Sequence, residues 1–176
     1  MTIEITEKGS GAFYKEIVNV LAQYRLILKN HNHKLKDYFK QLKVLIAAGT
    51  IMLVLLGAMM IFWGTNSLDI VAEICLAIVV IMSAAYLMNL NKVLKSLLDD
   101  VRTSVLTIDE DGVELRKEDS QTVKLAWNNI AVVKKYKESL NFVSANQSGF
   151  IISVDKRYSG DIENWIRENR PETEVC

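Results

Sequence analysis

The chain of 176 residues has only two cysteines, one proline and two histidines, and its formal net charge is zero. Cys75 and Cys176 belong to no CxxC pair and no Cys/His cluster, which argues against a disulfide scaffold and a structural zinc site. Basic and acidic residues balance at 21 each, whereas nucleic-acid-binding proteins are usually strongly basic, so no nucleic-acid partner is expected. Half of the residues are hydrophobic, a fraction that argues against an intrinsically disordered chain.

Sequence motifs of the common enzyme classes are also missing. The chain contains no GxGxxG, GxxxxGKS/T, HExxH or GxSxG motif. His31 and His33 stand two positions apart, and side chains at that spacing do not share a face of a helix. We therefore predict a non-enzymatic protein that holds no metal and no cofactor.

Hydrophobic residues are concentrated in two runs, each long enough to cross a bilayer. Residues 44–63 carry no charge, and at about 1.5 Å per residue they extend roughly 30 Å, the thickness of the hydrocarbon core. Residues 70–90 form the second run, and residues 64–69 separate the two. The pattern predicts a transmembrane helical hairpin with a short external loop, because a buried helix pair of a soluble protein would normally show polar faces.

Basic residues flank the two runs and set the predicted orientation. They occur before the first run and after the second, and the connecting residues 64–69 contain none. Because basic flanks favour the cytoplasm, both termini are predicted to be cytoplasmic in a multi-pass protein of the inner membrane. The residues that carry this prediction are Arg25, Lys29, Lys34, Lys36, Lys40, Lys43, Lys92, Lys95 and Arg102.

Glu73 is the only ionisable residue within either run, which makes it a candidate intramembrane functional residue. The alternative is a carboxyl group that reaches the headgroups, since Glu73 lies within one turn of the predicted outer end. Small residues recur at heptad spacing and let helices approach closely in lipid. They predict either the seam of the hairpin or a homodimer interface, formed by Thr50, Gly57, Ala77 and Ala84.

Residues 1–43 are predicted to be a cytoplasmic region of one strand and amphipathic helices. Residues 2–7 alternate between apolar and polar side chains, as a short strand does. Apolar side chains at helical spacing then predict an amphipathic helix from Phe13 to Ile27. Residues 34–43 resume the helical pattern among four lysines, which suits either a helix along the lipid headgroups or one packed on the soluble domain.

Residues 104–176 are predicted to form a β-rich cytoplasmic domain, joined to the second run by a helical linker at residues 91–103. Asp111-Gly112 lies between two alternating segments, which is a strong hairpin signal. A helix beginning near Ser159 is predicted to end before Pro171. The pattern predicts an α+β membrane protein whose strongly bent antiparallel sheet is closed by this helix, and residues 2–7 would add a strand. The other predicted strands are residues 105–109, 113–117, 122–126, 130–137, 140–145 and 150–154.

Several segments resemble one known family. LTIDEDGVELR from residue 106, LAWNNIAVV from residue 125 and FIISVDKRYS from residue 150 follow the two apolar runs and precede a terminal helix. This arrangement resembles the YcxB-like family of bacterial membrane proteins and, more broadly, the pleckstrin-homology-like (PH-like) arrangement of strands capped by a helix. The most characteristic piece is Trp127 followed by Ile130. Where family members often carry a proline before Lys156-Arg157, this chain has Asp155, which changes the exit turn of the last strand.

The resemblance implies a fold and a membrane anchor, and it supplies no catalytic residues. A cluster of basic residues remains as a candidate contact with anionic lipid headgroups or a partner, at about 1 kcal/mol per basic residue near a membrane surface. The alternative is a charged strand edge that discourages aggregation. The cluster consists of Lys134, Lys135 and Lys137, with Lys156 and Arg157 nearby.

Two functions are therefore predicted as alternatives. In the first, the cytoplasmic YcxB-like, PH-like domain of an integral membrane protein binds a protein partner or lipid headgroups at the membrane surface. In the second, the chain is an immunity protein that protects its host from a membrane-acting or secreted toxin. Small size and the lack of a catalytic motif suit both functions.

Overall fold

The computed structural model describes residues 1–6, 9–64, 66–99, 103–117, 122–146 and 150–176. They form two compact units, one made of Met1–Lys36 with Ser96–Cys176 and the other of Asp37–Lys95. The protein is α+β, because the first unit holds antiparallel sheets and helices and the second consists of two long apolar helices. Residues 1–36 thus belong to the same unit as the C-terminal region.

Twelve helices and strands are assigned in the described residues, and two 3₁₀ turns lie among them. In chain order they are β1 Thr2–Ile5, α1 Gly11–Ala22, α2 Tyr24–Lys29, α3 Tyr38–Trp63, α4 Ser67–Asp99, β2 Ser104–Ile108, β3 Gly112–Lys117, β4 Thr122–Ala126, β5 Ile130–Lys135, β6 Ser139–Ser144, β7 Ile151–Asp155 and α5 Ser159–Asn169. The 3₁₀ turns are Trp127–Asn129 before β5 and Lys156–Tyr158 after β7.

The apolar unit contains α3 and α4, and each is long and apolar enough to cross a membrane. Asp37 caps α3 by accepting a hydrogen bond from the Lys40 N–H at 3.1 Å, so residues 38–43 belong to the same helix as the first apolar run. α4 continues past the second apolar run to Asp99 and includes most of the predicted linker. Residue 7 of the first predicted strand, residue 65 of the loop and the linker residues 100–102 lie outside the described residues.

Two antiparallel sheets form the framework of the other unit. Strands β1–β4 pair in sequence order in one sheet, and β5–β7 pair in sequence order in the second. β1 lies beside β2 with Ile3 opposite Leu106, which confirms that the N-terminal strand joins the C-terminal strands. The first sheet therefore contains residues from both sides of the apolar unit.

The single strongly bent sheet expected from the sequence is replaced by these two sheets. Among the described strands, neither sheet is closed or strongly curled. The 3₁₀ turn Trp127–Asn129 interrupts the extended backbone after β4, so β5 starts a new sheet. The Trp127 ring stacks on Trp165 of α5 at a centroid distance of 6.0 Å, and its Nε1–H donates to the Asp109 carbonyl oxygen at 2.8 Å. Trp127 thus connects the corner to both the first hairpin and the last helix.

The main core contains side chains from both sheets and from α5. Its largest fully buried members include Phe142, Leu106 and Ile162, which come from β6, β2 and α5. The family-like pair Trp127 and Ile130 is partly buried against it. Burial of one such apolar side chain is worth about 1.5–3 kcal/mol, so this core contributes strongly to the stability of the unit.

A second core covers the other face of the β5–β7 sheet. Val20, Tyr24 and Ile27 of α1 and α2 pack there against Val132 and Val143. The predicted amphipathic helix is confirmed in this respect, although the structure divides it at Gln23 into α1 and α2. Every residue of β6 is buried because the sheet is covered on both faces.

The predicted Asp-Gly hairpin joins β2 to β3. The Asp109 carboxylate accepts hydrogen bonds from the N–H groups of Asp111 at 2.9 Å and Gly112 at 3.0 Å, and these bonds lower the pKa of Asp109. Glycine is needed at position 112 because β4 passes close to the backbone. A Cβ atom there would lie 2.3 Å from the Leu125 carbonyl oxygen and 2.8 Å from the Ala126 Cα.

Gly112→Ala is therefore expected to destabilise the protein by about 2 kcal/mol, because overpacking against backbone forces β3 and β4 apart. The matched control is Gly160→Ala in the first turn of α5, where an added Cβ would meet open space. That change is expected to be neutral or to stabilise by about 0.5 kcal/mol. Denaturant unfolding of both variants, followed by tryptophan fluorescence, checks the pair, and equal stabilities would contradict the explanation.

Candidate functional site

The basic residues singled out from the sequence collect at one end of the β5–β7 sheet. Lys134 and Lys135 are the last two residues of β5, and Lys137 follows in the turn to β6. The Lys156 N–H donates to the Glu138 carbonyl oxygen at 3.0 Å, which places the exit of β7 beside that turn. Two segments that are distant in sequence therefore meet here.

Lys134 points into the unit. It is only 7% exposed, and its Nζ donates a hydrogen bond to the His31 carbonyl oxygen. The same Nζ lies 6.0 Å from the centroid of the Tyr136 ring, within the range of a cation–π contact. Lys134 thus holds the segment after α2 against the sheet and presents little charge to a ligand.

Lys135 is paired within the unit as well. Its Nζ lies 2.6 Å from the Glu163 carboxylate of α5, and the Glu163 side chain is mostly buried. An ion pair of this kind ties β5 to the terminal helix. Lys135 is partly exposed, so solvent screens the pair and its net contribution to stability is small.

The three remaining cations form a surface of mixed charge. Lys137 lies 3.6 Å from the Glu138 carboxylate, and Arg157 lies 3.2 Å from Asp155. Arg157 also lies 5.7 Å from the centroid of the Tyr158 ring. Lys156 is exposed beside them. Carboxylates interleaved with cations weaken the attraction that this surface exerts on an anionic membrane.

A buried chain of polar side chains lies between α1 and the β5–β7 sheet. The Ser153 hydroxyl donates to Asn141 Oδ1 at 2.6 Å, and Asn141 Nδ2 donates to the Ser139 hydroxyl oxygen at 2.7 Å. The Ser139 hydroxyl donates in turn to the Glu16 carboxylate at 2.6 Å, which also accepts the Glu138 N–H at 3.0 Å. Sequence reasoning missed this chain, because alternating polar residues normally mark the solvent face of a strand.

Tyr136 lies beside this polar chain. Its hydroxyl group is buried and has no hydrogen-bond partner among the described residues. Burial disfavours the charged phenolate, and the negative charge of Glu16 adds to this effect, so the pKa of Tyr136 is raised to about 12.

The histidines are part of the fold. His33 Nε2 lies 3.0 Å from Gln23 Oε1, and Gln23 Oε1 also accepts the Lys36 N–H at 3.0 Å. Gln23 Nε2 donates to the Lys36 carbonyl oxygen at 2.6 Å. The amide of Gln23, which is 1% exposed, therefore fixes the segment between α2 and α3. In the described part of the chain, no group of three or more His, Cys, Asp or Glu residues is placed to hold a metal.

Glu73 occupies a half-buried position within the apolar unit. A Cβ atom at Gly57 of α3 would lie 3.5 Å from Glu73 Oε1, so the carboxyl group lies against the backbone where α3 has no side chain. Of the small residues predicted as a seam or dimer interface, Gly57, Ala77 and Ala84 are half-buried and Thr50 is exposed. The Thr50 hydroxyl donates to the Ile46 carbonyl oxygen of its own helix at 2.8 Å.

A close approach of the two apolar helices involves a glycine outside the predicted set. A Cβ atom at Gly49 would lie 2.5 Å from Val80 Cγ2. The heptad spacing pointed to the neighbouring residue, Thr50, because it assumes that positions seven apart face the partner. In the structure the adjacent residue, Gly49, is the one that lies close to α4, and the homodimer through the predicted small residues stays a prediction.

Comparisons with known proteins returned nothing for this chain: no family model, no curated protein and no solved structure matches it. Its function must therefore be inferred from its own residues and their arrangement.

The raised pKa of Tyr136 predicts a specific pH dependence. The phenol ionises near 10.0 in the unfolded chain and near 12 in the folded one, so between these values only the folded state keeps the proton. The stability that this group contributes is complete below about pH 10 and is lost as the pH rises towards about 12.

Tyr136→Phe is accordingly expected to weaken the decline of stability between about pH 10 and about pH 12. Denaturation midpoints of both proteins, measured across this range in detergent, provide the test. Tyr14→Phe, at a partly exposed position of α1, is the control. Parallel pH profiles for the original chain and Tyr136→Phe would contradict the assignment.

Proposed function

We propose that the chain is a YcxB-like protein of the bacterial inner membrane, in which α3 and α4 span the bilayer and the sheet-containing unit is a non-enzymatic, PH-like binding module for a protein partner. Both termini are cytoplasmic in this proposal. The observation that carries it is the exposure of the apolar helices. Ile61 and Phe62 of α3 are 82% and 80% exposed, and Leu68 of α4 is 74% exposed.

The exposed apolar surface favours insertion in lipid. Monomeric soluble proteins rarely expose contiguous apolar patches larger than a few hundred Å², whereas side chains of this kind recur along the whole of both helices. A bilayer removes them from water without requiring any other protein.

The first unit contains residues from both ends of the chain, which supports a position of both termini on the same side of the membrane. Residues 1–36 and 96–176 fold together, so the helices between them have to leave the unit and return to it. A hairpin that crosses the membrane twice meets this requirement. The excess of basic residues on the two outer flanks supports a cytoplasmic position for that side.

The PH-like assignment is supported by the order of the elements. Four antiparallel strands, three further antiparallel strands and a following helix support an arrangement of strands capped by a helix. Both faces of the second sheet are covered by helices or by the first sheet. On the second sheet, the edges and ends are therefore the surfaces on which a partner would bind.

The contacts of the basic side chains favour a protein partner over lipid headgroups. Lys134 and Lys135 are engaged inside the unit, and Lys137 and Arg157 lie beside carboxylates. An anionic bilayer is attracted most strongly by uncompensated positive charge.

The immunity function stays a prediction, and unchanged toxin sensitivity of a deletion strain would exclude it.

Topology is tested with single cysteines in a Cys75→Ser, Cys176→Ser background. Ser67→Cys at the start of α4 is expected to react with a membrane-impermeant maleimide in intact spheroplasts. Leu21→Cys and Lys137→Cys are expected to react only after permeabilisation. Labelling of position 67 on the same side as position 137, or release of the protein by carbonate, would overturn the proposal.

The partner class is tested by photo-crosslinking from positions 137 and 156 of the full chain in native membranes. A discrete protein adduct is expected from these positions and not from position 124, which is exposed on the other sheet. Adducts that contain only phospholipid would favour headgroup binding instead and would contradict the choice of a protein partner.

A further inference from the structure

The outer edge of β5 is covered by residues 173–176 of the same chain. The Cys176 N–H donates to the Val133 carbonyl oxygen at 3.0 Å, and the Lys135 N–H donates to the Cys176 carbonyl oxygen at 2.7 Å. The Val133 N–H donates to the Glu174 carbonyl oxygen at 3.4 Å. The two segments run parallel, with Val175 bridged to Val133. We refer to residues 173–176 as the tail.

The side chains of the tail alternate as those of a strand do. Val175 packs against the main core, and Cys176 packs on the opposite side against the second core. Both residues are only partly buried, and Glu174 between them and the preceding turn is exposed. The tail therefore occupies two apolar positions at the edge of β5 without becoming part of either core.

The attachment of the tail is much weaker than that of the neighbouring strand. One isolated bridge with three backbone hydrogen bonds links it to β5, whereas β5 and β6 pair over most of their length and every residue of β6 is buried. The tail follows a turn that is closed by the Thr173 N–H donating to the Arg170 carbonyl oxygen at 2.9 Å. Unpaired strand edges readily accept another extended chain, so the tail shields a surface that is able to bind one.

We propose that the β5 edge is a docking site for an extended peptide segment of the protein partner, and that the tail is an internal ligand which this segment displaces. This inference rests on the proposed binding role and names the surface that performs it. The expected segment runs parallel to β5. It places a branched apolar side chain opposite Val133 and a small side chain at the next position, as Val175 and Cys176 do.

Occupation of the β5 edge by the tail also sets a minimum affinity that the partner's segment must have to bind there. A segment tethered by a few residues acts at an effective concentration of about 1 mM. A competing peptide at a lower concentration therefore displaces the tail only if it binds the edge more tightly than the tail does. Removal of the tail is the direct way to reveal the edge.

The test uses the full chain and a chain that ends at Pro171, both purified in detergent. The probe is a fluorescent peptide with the sequence of residues 171–176 and serine in place of Cys176. The shortened chain is expected to bind the peptide, and the full chain is expected to bind it at least tenfold more weakly because of the internal competitor. Equal binding by both chains, or no binding by a folded shortened chain, would overturn the proposal.

Two backbone-modified peptides separate strand pairing from non-specific apolar binding. N-methylation of the last residue removes the N–H that donates to the Val133 carbonyl oxygen, so affinity is expected to fall at least tenfold. The N–H of the preceding residue points away from β5 in a parallel strand, so N-methylation there is expected to retain binding. Equal losses from both modifications would contradict docking on the edge.

If the shortened chain does not fold, hydrogen exchange on the full chain tests whether the tail can leave the β5 edge. The Val133 and Lys135 N–H groups point at the tail, whereas the alternating geometry of a strand directs the Lys134 N–H towards β6. A displaceable tail predicts at least tenfold faster exchange at positions 133 and 135 than at 134. Equal protection would overturn the proposal while leaving the membrane topology result untouched.

Discussion

The β5–β7 sheet is buried on both of its faces, and this double burial is the constraint on which the rest of the protein depends. One face packs against α5 and the four-stranded sheet, and the other packs against α1 and α2. The helices on the second face precede the apolar unit in sequence, and the strands follow it. The unit is complete only when these two parts of the chain meet.

Burial on both faces also explains the unusual polarity of the interior. β6 carries Ser139 and Asn141 at fully buried positions, and a buried polar group costs about 1–3 kcal/mol if it is left without a hydrogen bond. The chain of hydrogen bonds that ends at Glu16 satisfies both residues. Because the bonds require one position of α1 on the sheet, the polar chain orients the helix while the apolar contacts supply the stability.

The features that local chemistry specifies were predictable. Apolar runs of membrane length produced the two long helices, and Asp111-Gly112 produced the hairpin between β2 and β3. The strand at Thr2–Ile5 was predicted from alternation, and its partly buried Ile3 and Ile5 pack against the main core where β1 pairs with β2. The basic cluster was less predictable, because alternation along β5 does not show whether the second face is solvent. Lys134 is buried because helices cover that second face, and its Nζ donates a hydrogen bond to the His31 carbonyl oxygen.

By itself, the sequence determined the positions of the apolar helices, the hairpin turns and the last helix, since each depends on residues within a few positions of one another. Tertiary packing decided that the strands form two sheets, that Gly49 of α3 lies close to Val80 of α4, and that the tail covers the β5 edge. These outcomes depend on contacts between residues as far apart as Val133 and Val175. Such contacts are chosen by the shape of the packed interior, which no local pattern of residues contains.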